Sequence, residues 1–322
     1  MCRTTLLVTL LCSIRLLPAQ MLPLYGPVEG FTFDPPTRSF RAVIGSLGSA
    51  SLGPALVKGL DYGSVAPRQN HALSFQSGRC LVVDLRSPQV STAELPGIFP
   101  IPEGVVWSGD GSVAILYSRT NNWIQKIRGF PRAAEVGPMW SVSLGSLAAV
   151  AIDFHGNHTA VGVAGETSGV FQIGDDLSSV PLLSLSKPVA LAFSDDGSTL
   201  YALDSSGELS ELNVADLTSH VWTLSGLEDA FLVRPSRDGT QRQVIYAAGT
   251  SGLVAYDAAS HEVIAEVPLT SQPTGIEALG QDSYILGPRS SGDQPLWSFI
   301  DTPQPALYFV PATPLSLEDS GK

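Results

Sequence analysis

A sevenfold recurrence constrains this chain more than any other feature. Its clearest copy is Pro188–Val214, PVALAFSDDGSTLYALDSSGELSELNV, which reads as three short strands and two tight turns. Val189–Phe193 is apolar throughout, as suits a strand buried on both faces. Asp195-Asp196-Gly197 supplies turn chemistry, with glycine free to take the positive φ that a tight turn needs. Thr199–Leu203 is the second strand, and Ser205-Ser206-Gly207 turns again. On the third strand Leu209, Glu211 and Asn213 alternate with Ser210 and Leu212. Aligned on the residue that opens the inner strand, the unit returns at Gly30, Gly63, Gly104, Ala149, Ala190, Ala230 and Gly275, at spacings of 33 to 45 residues. A period near forty with several strands per unit predicts an all-β fold, a seven-bladed β-propeller of about four antiparallel strands per blade. The first unit is the shortest, so its outer strand is expected to be truncated or irregular.

Each unit carries its own turn signal. Asp110-Gly111 serves after Gly104, Gly156-Asn157 after Ala149, Asp238-Gly239 after Ala230, and Pro35-Pro36-Thr37 after Gly30. Gly111 and Gly197 are expected to hold positive φ. A single twisted sheet cannot bury both faces, whereas a closed ring of sheets buries all of them. The propeller is placed at 20–311, followed by a polar tail at 312–322. Ala306–Val310 completes the seventh blade's own sheet, which leaves ring closure to face packing or to Leu22–Tyr25 joining the last blade.

The sixth unit, Val244–Leu279, resembles the YVTN-type repeat of secreted, lactonase-like seven-bladed propellers. Tyr246 stands at that family's tyrosine, and Val254-Ala255-Tyr256-Asp257 matches its third strand. Ser260-His261-Glu262 makes the next turn, and Pro273-Thr274-Gly275-Ile276 leads into the following blade, as Pro188-Val189-Ala190-Leu191 does one blade earlier. The family's tetrad is reduced to YAAG at Tyr246–Gly249 and YALD at Tyr201–Asp204. The resemblance implies the fold and leaves function open, because propellers host many unrelated activities.

Charged residues make up 15% of the chain beside 31 glycines and 24 prolines, which suits many short strands and turns. The net charge is −12 with no basic cluster, which argues against a nucleic-acid partner. Residues 1–19 read as a signal peptide, with Arg3, an apolar core at Leu6–Ile14 and cleavage after Ala19. That core is too short to span a bilayer, and no second long apolar run follows. A secreted or periplasmic monomer without a transmembrane anchor is therefore expected. Cleavage removes Cys2 and Cys12, leaving Cys80 alone; with no disulfide partner it should pack as a small apolar residue.

Catalytic motifs are absent. His155 and His158 in HGNH have a metal-compatible spacing, but only Asp153 stands beside them and turn chemistry accounts for Gly156 and Asn157. No Gly-x-Ser-x-Gly elbow, phosphate loop or paired-cysteine motif is present, so no catalytic residue and no metal ligand is assigned. One pattern remains. The two positions before each anchor lie in loops around one mouth of the axial channel, and they contain Glu29, Asp61, Glu103, Glu228 and Asp229. The chain's average acidic content would place about one such residue there. A solvated surface explains such residues plainly; the functional reading is an acidic mouth that attracts cations or basic ligands. Arg119 and Arg289, on loops between second and third strands, are expected at the same face as internal partners. These seven residues form the expected ligand-binding set. The expected function is non-catalytic binding of a protein or small molecule at the loop face. The alternative is a lactonase-like hydrolase using mouth carboxylates, with a divalent cation as the one cofactor that pattern allows. Carboxylates within reach of one cation favour the hydrolase, and scattered ones favour the binder.

Overall fold

The computed structural model describes residues 26–86, 90–97, 99–237, 242–280, 282–301 and 305–311. They form seven antiparallel sheets arranged as the blades of a propeller, six with four strands and one with three. The inner strands of blades one to seven are Val28–Asp34, Tyr62–Val65, Gly104–Trp107, Ser146–Ile152, Pro188–Phe193, Leu232–Arg237 and Glu277–Ala278. The helical content of the described residues is one 3-10 turn, Pro35–Thr37, and none of their helices is long and apolar enough to cross a membrane.

Alternation along each strand sends side chains to opposite faces of its blade. In blade five, Leu200, Ala202 and Leu212 join the core shared with blade four, while Tyr201, Leu203 and Leu209 join the core shared with blade six. Each of the seven seams between neighbouring blades has such a cluster, so the ring is closed by apolar packing. Cys80 is fully buried in the seam of blades two and three, where burial pushes its thiol up to about 12, consistent with a packing role.

Closure between blades seven and one uses no exchanged strand among the described residues. Blade seven is completed by its own Ala306–Val310. Val43, Ala50 and Leu52 of blade one pack on Leu279, Ile285, Leu296 and Val310 of blade seven. Leu22–Tyr25, the alternative closing segment, lie outside the described residues, as do the expected signal peptide at 1–19 and the expected tail at 312–322.

Blade one is the exception to the repeat. Its strands are Val28–Asp34, Ser39–Ile44 and Ser51–Lys58, with no fourth. Only Gly59, Leu60 and Asp61 separate Lys58 from Tyr62. That link spans at most about 14 Å, whereas the third strand alone runs roughly 26 Å. The third strand of blade one and the inner strand of blade two must therefore meet at the same rim. An odd number of strands then reverses the inner strand of blade one relative to the others. The contacts show the reversal. In the regular blades, like turns meet: the Asp110 N–H donates to the Phe154 carbonyl at 3.0 Å, and Gly197 lies against Asp153. In blade one the corresponding turn meets the segment leading into blade two, with Leu60 N–H to the Arg38 carbonyl and Arg38 Nε to the Leu60 carbonyl, both at 2.9 Å. The start of the same strand meets the far end of blade seven's inner strand, Gly30 lying against the Leu279 carbonyl.

The turns between inner and second strands of blades three and five share one device. In blade five Asp196 Oδ1 accepts from Ser194 Oγ at 2.7 Å and Ser198 N–H at 3.0 Å, while Ser194 Oγ accepts from Thr199 N–H at 3.0 Å. Ser108, Asp110, Ser112 and Val113 repeat the arrangement in blade three. Gly197 and Gly111 follow these aspartates at φ 71° and 72°, the left-handed conformation expected for them. Gly197→Val and Gly111→Val should each destabilise the protein by about 1 kcal/mol or more. Urea denaturation measures this, and a neutral result at both positions would contradict the assignment.

Candidate functional site

At the rim where inner strands begin, the expected carboxylates are held separately. Glu103 accepts from Ser118 Oγ and Thr120 N–H at 2.8 Å and from Arg119 N–H at 3.1 Å, with Arg119 Nε 3.7 Å away. Burial opposes the charge, but these hydrogen bonds prevail and hold the Glu103 carboxyl at about 2. Asp61 pairs with Arg38 and accepts from Ser77 N–H at 2.7 Å. Glu228 and Asp229 are exposed, Asp229 with a left-handed φ of 46°. They stand further ahead of their strand than the repeat spacing implies, because Leu232, not Ala230, pairs with Ala248, as Ala190 pairs with Leu203.

Two expected positions change. Glu29 belongs to the opposite rim, because the three-stranded first blade is reversed; its Oε1 accepts from Ser283 Oγ at 3.2 Å. Arg289 does reach the expected rim but pairs with none of the five carboxylates. Its Nε and Nη2 donate to Asp34 at 2.6 and 3.0 Å, and its Nη1 donates to the Gly292 carbonyl at 3.0 Å. The reversal brings Asp34, at the end of blade one's inner strand, to this rim. Arg41 Nε lies 3.2 Å from the same carboxylate, and Arg289, Asp34 and Arg41 are all buried. Three arginine–carboxylate pairs thus line blades seven to three: Arg289–Asp34, Arg38–Asp61 and Arg119–Glu103. Among the described residues, no group of three potential metal ligands forms at this rim. His155 and His158 also stay apart: His155 Nδ1 faces Asp110 at 3.6 Å, and His158 Nδ1 lies 3.2 Å from Gln172 Nε2.

The axial channel gathers a different set. A cavity of about 460 Å³ is lined by the inner strands of blades two to seven, and Glu103 and Tyr117 reach it from the rim. Blade one contributes no lining residue. Gln69 bridges there, accepting from Phe31 N–H at 2.5 Å and donating to the Ala278 carbonyl at 2.6 Å. Glu277 is open to the channel yet enclosed by the ring; burial raises its carboxyl above the ordinary range, although the Arg234 cation opposes this. Tyr62 and Tyr117 have phenols raised mainly by burial, with Glu277 adding to both. Arg234 lies over the Tyr284 ring at 5.0 Å; its Nη1 reaches the Ile276 carbonyl at 3.4 Å and its buried Nε has no hydrogen-bond partner. Two phenol donors and a guanidinium suit a ligand rich in hydrogen-bond acceptors.

Glu277 and Arg234 were not among the expected residues. Register makes them visible. Glu277 pairs with Ile285 and Arg234 with Tyr246, and both take the position that Ala192, paired with Tyr201, holds in blade five. A charge inside an otherwise apolar inner strand was the available signal.

No known family profile and no curated protein matches this chain. Solved structures do. A chain in the crystal structure of the mitotic checkpoint complex aligns with a TM-score of 0.55 at 14% identity, covering 79% of this chain and 82% of that one. A functionally unknown protein from Desulfotomaculum acetoxidans DSM 771 aligns with a TM-score of 0.60 at 12% identity, covering 87% of this chain and 99% of that one. At such identities the likeness shows the propeller fold alone.

Proposed function

We propose that this chain is an exported, non-catalytic binding propeller that receives a small molecule or a partner's side chain at its loop face and axial channel. The observation that carries the reading is the division of labour between rim and channel. The rim carboxylates of blades one to three are taken up by arginines and backbone donors. The channel, by contrast, is lined by Arg234 together with Tyr62, Tyr117 and Glu277. The bound group on this reading is a carboxylate or an amide carbonyl. Membership of the YVTN-type secreted propellers is part of the same proposal, supported by the matched leads Pro188–Leu191 and Pro273–Ile276 and by the leader at 1–19.

Hydrolysis of lactones and simple esters tests the non-catalytic part. The wild-type chain should leave these substrates at their uncatalysed rate. Turnover that disappears in Glu103→Gln or Glu277→Gln would establish the hydrolase instead.

A further inference from the structure

We propose that Glu211, His220 and His261 bind one divalent transition-metal ion of the zinc class, on the flank of the ring at the seam between blades five and six. The site is independent of the channel. Glu211 on the third strand, Glu208–Asn213, pairs directly with His220 on the outer strand, Ser219–Thr223, and Leu209 pairs with Trp222. Leu209 belongs to the core shared with blade six, so the alternation turns Glu211, His220 and Trp222 toward that blade. His261 arrives from blade six, in the turn between Gly252–Asp257 and Val263–Pro268. That turn is fixed by its own hydrogen bonds: Asp257 Oδ1 accepts from Ala259 and Ser260 N–H at 2.9 Å, and His261 N–H donates to the Asp257 carbonyl at 2.8 Å.

The side chains converge. A ligand atom from each of the three lies within 4.8 Å of the others, and His261 Nε2 is 3.4 Å from Glu211 Oε1. Zinc bonds of about 2.0–2.1 Å in a tetrahedron place ligand atoms about 3.3–3.4 Å apart. The Glu211–His261 pair therefore already has the spacing of two ligands on one ion. His220 is exposed on the outer strand with its ring stacked on that of His261 at 5.3 Å and 27°, and it would rotate on binding to complete the set. Trp222 supports the arrangement from outside it. Its Nε1 donates to Glu211 Oε1 at 2.9 Å, and its indole stacks on the His261 ring at 4.5 Å and 9°. Such outer partners orient ligands in metal sites. A carboxylate has lone pairs to spare after one indole bond. Two imidazoles and a carboxylate suit zinc-class ions, whereas calcium and magnesium prefer oxygen ligands. Because the ligands come from two blades, a bound ion would join them across their seam.

Titration of the untagged full-length chain with cobalt(II), followed by visible absorption and tryptophan emission, tests the site. One cobalt per chain should bind, quench emission through Trp222, and be displaced by zinc but not by magnesium. His220→Ala should weaken binding roughly tenfold or more, and Glu211→Gln should do likewise. His155→Ala/His158→Ala should leave it unchanged. An unaltered metal-free melting temperature confirms that His220→Ala is folded. Failure to take up one cobalt or zinc per chain, or uptake that survives His220→Ala, would overturn the proposal and leave a metal-free hydrogen-bonded cluster.

Discussion

Replacing Arg289 by methionine is expected to lower stability by about 3 kcal/mol. Asp34 and Arg289 form a bidentate pair buried in the seam where the ring closes. Removing one partner of such a pair leaves the other charge desolvated, which typically costs about 3–5 kcal/mol. Arg41 Nε remains 3.2 Å from Asp34 and absorbs part of the loss, which sets the lower end of that range. Asp34→Leu combined with Arg289→Met should recover none of the loss, because Arg41, buried beside Asp34, then loses its carboxylate. Urea denaturation of the two variants measures both effects. A loss under about 1 kcal/mol for the single variant would mean that apolar packing alone closes the ring.

Stability should also fall as pH drops from about 6.5 to 4, by about 3 kcal/mol, through His71. His71 is 1% exposed, stacked on Phe130 at 5.6 Å and edge-on to Trp107 at 5.2 Å. Burial lowers its imidazole to about 4, while the bond to the Gly111 carbonyl at 3.0 Å opposes the shift. The folded value lies below the unfolded one, so between them the unfolded chain takes up the proton first. The contribution is complete above pH 6.5 and lost as pH falls toward 4. Glu103, held at about 2, titrates in a lower window. His71→Gln, which keeps a donor for Gly111, should flatten the profile between pH 6.5 and 4. An unchanged slope in that variant would assign the acid sensitivity elsewhere.

The blade repeat was legible because each unit carries its period-2 strands and its turn residues locally, as Asp196-Gly197 and Asp110-Gly111 do. The short first unit was legible too, and it correctly signals a missing outer strand. Its consequence was not. Strand parity reverses the inner strand, and that reversal exchanges the rims of Glu29 and Asp34. Counting residues ahead of an anchor cannot reveal this, because the direction of a strand depends on how many precede the next link. The arginine pairings were half visible: Arg119 lies near Glu103 as its loop suggests, while Asp34 sits beside a Pro-Pro turn and gives no local sign of a partner 255 residues away. Glu211, His220 and His261 show the same limit. Glu211 and His220 meet through strand register, and His261 joins them only when blade six packs on blade five.

Thermal denaturation with ligand panels tests the division between rim and channel most directly. The wild-type chain, Glu103→Gln and Arg234→Ala are each melted with calcium, with magnesium, and with a panel of carboxylate- and amide-bearing metabolites. Because arginines and backbone donors hold the rim carboxylates of blades one to three, calcium and magnesium should leave all three melting temperatures unmoved. At least one acceptor-rich compound should raise the wild-type and Glu103→Gln values by mass action and fail to raise that of Arg234→Ala. Stabilisation by calcium or magnesium that disappears in Glu103→Gln would contradict the account and return the rim carboxylates to the centre of the function.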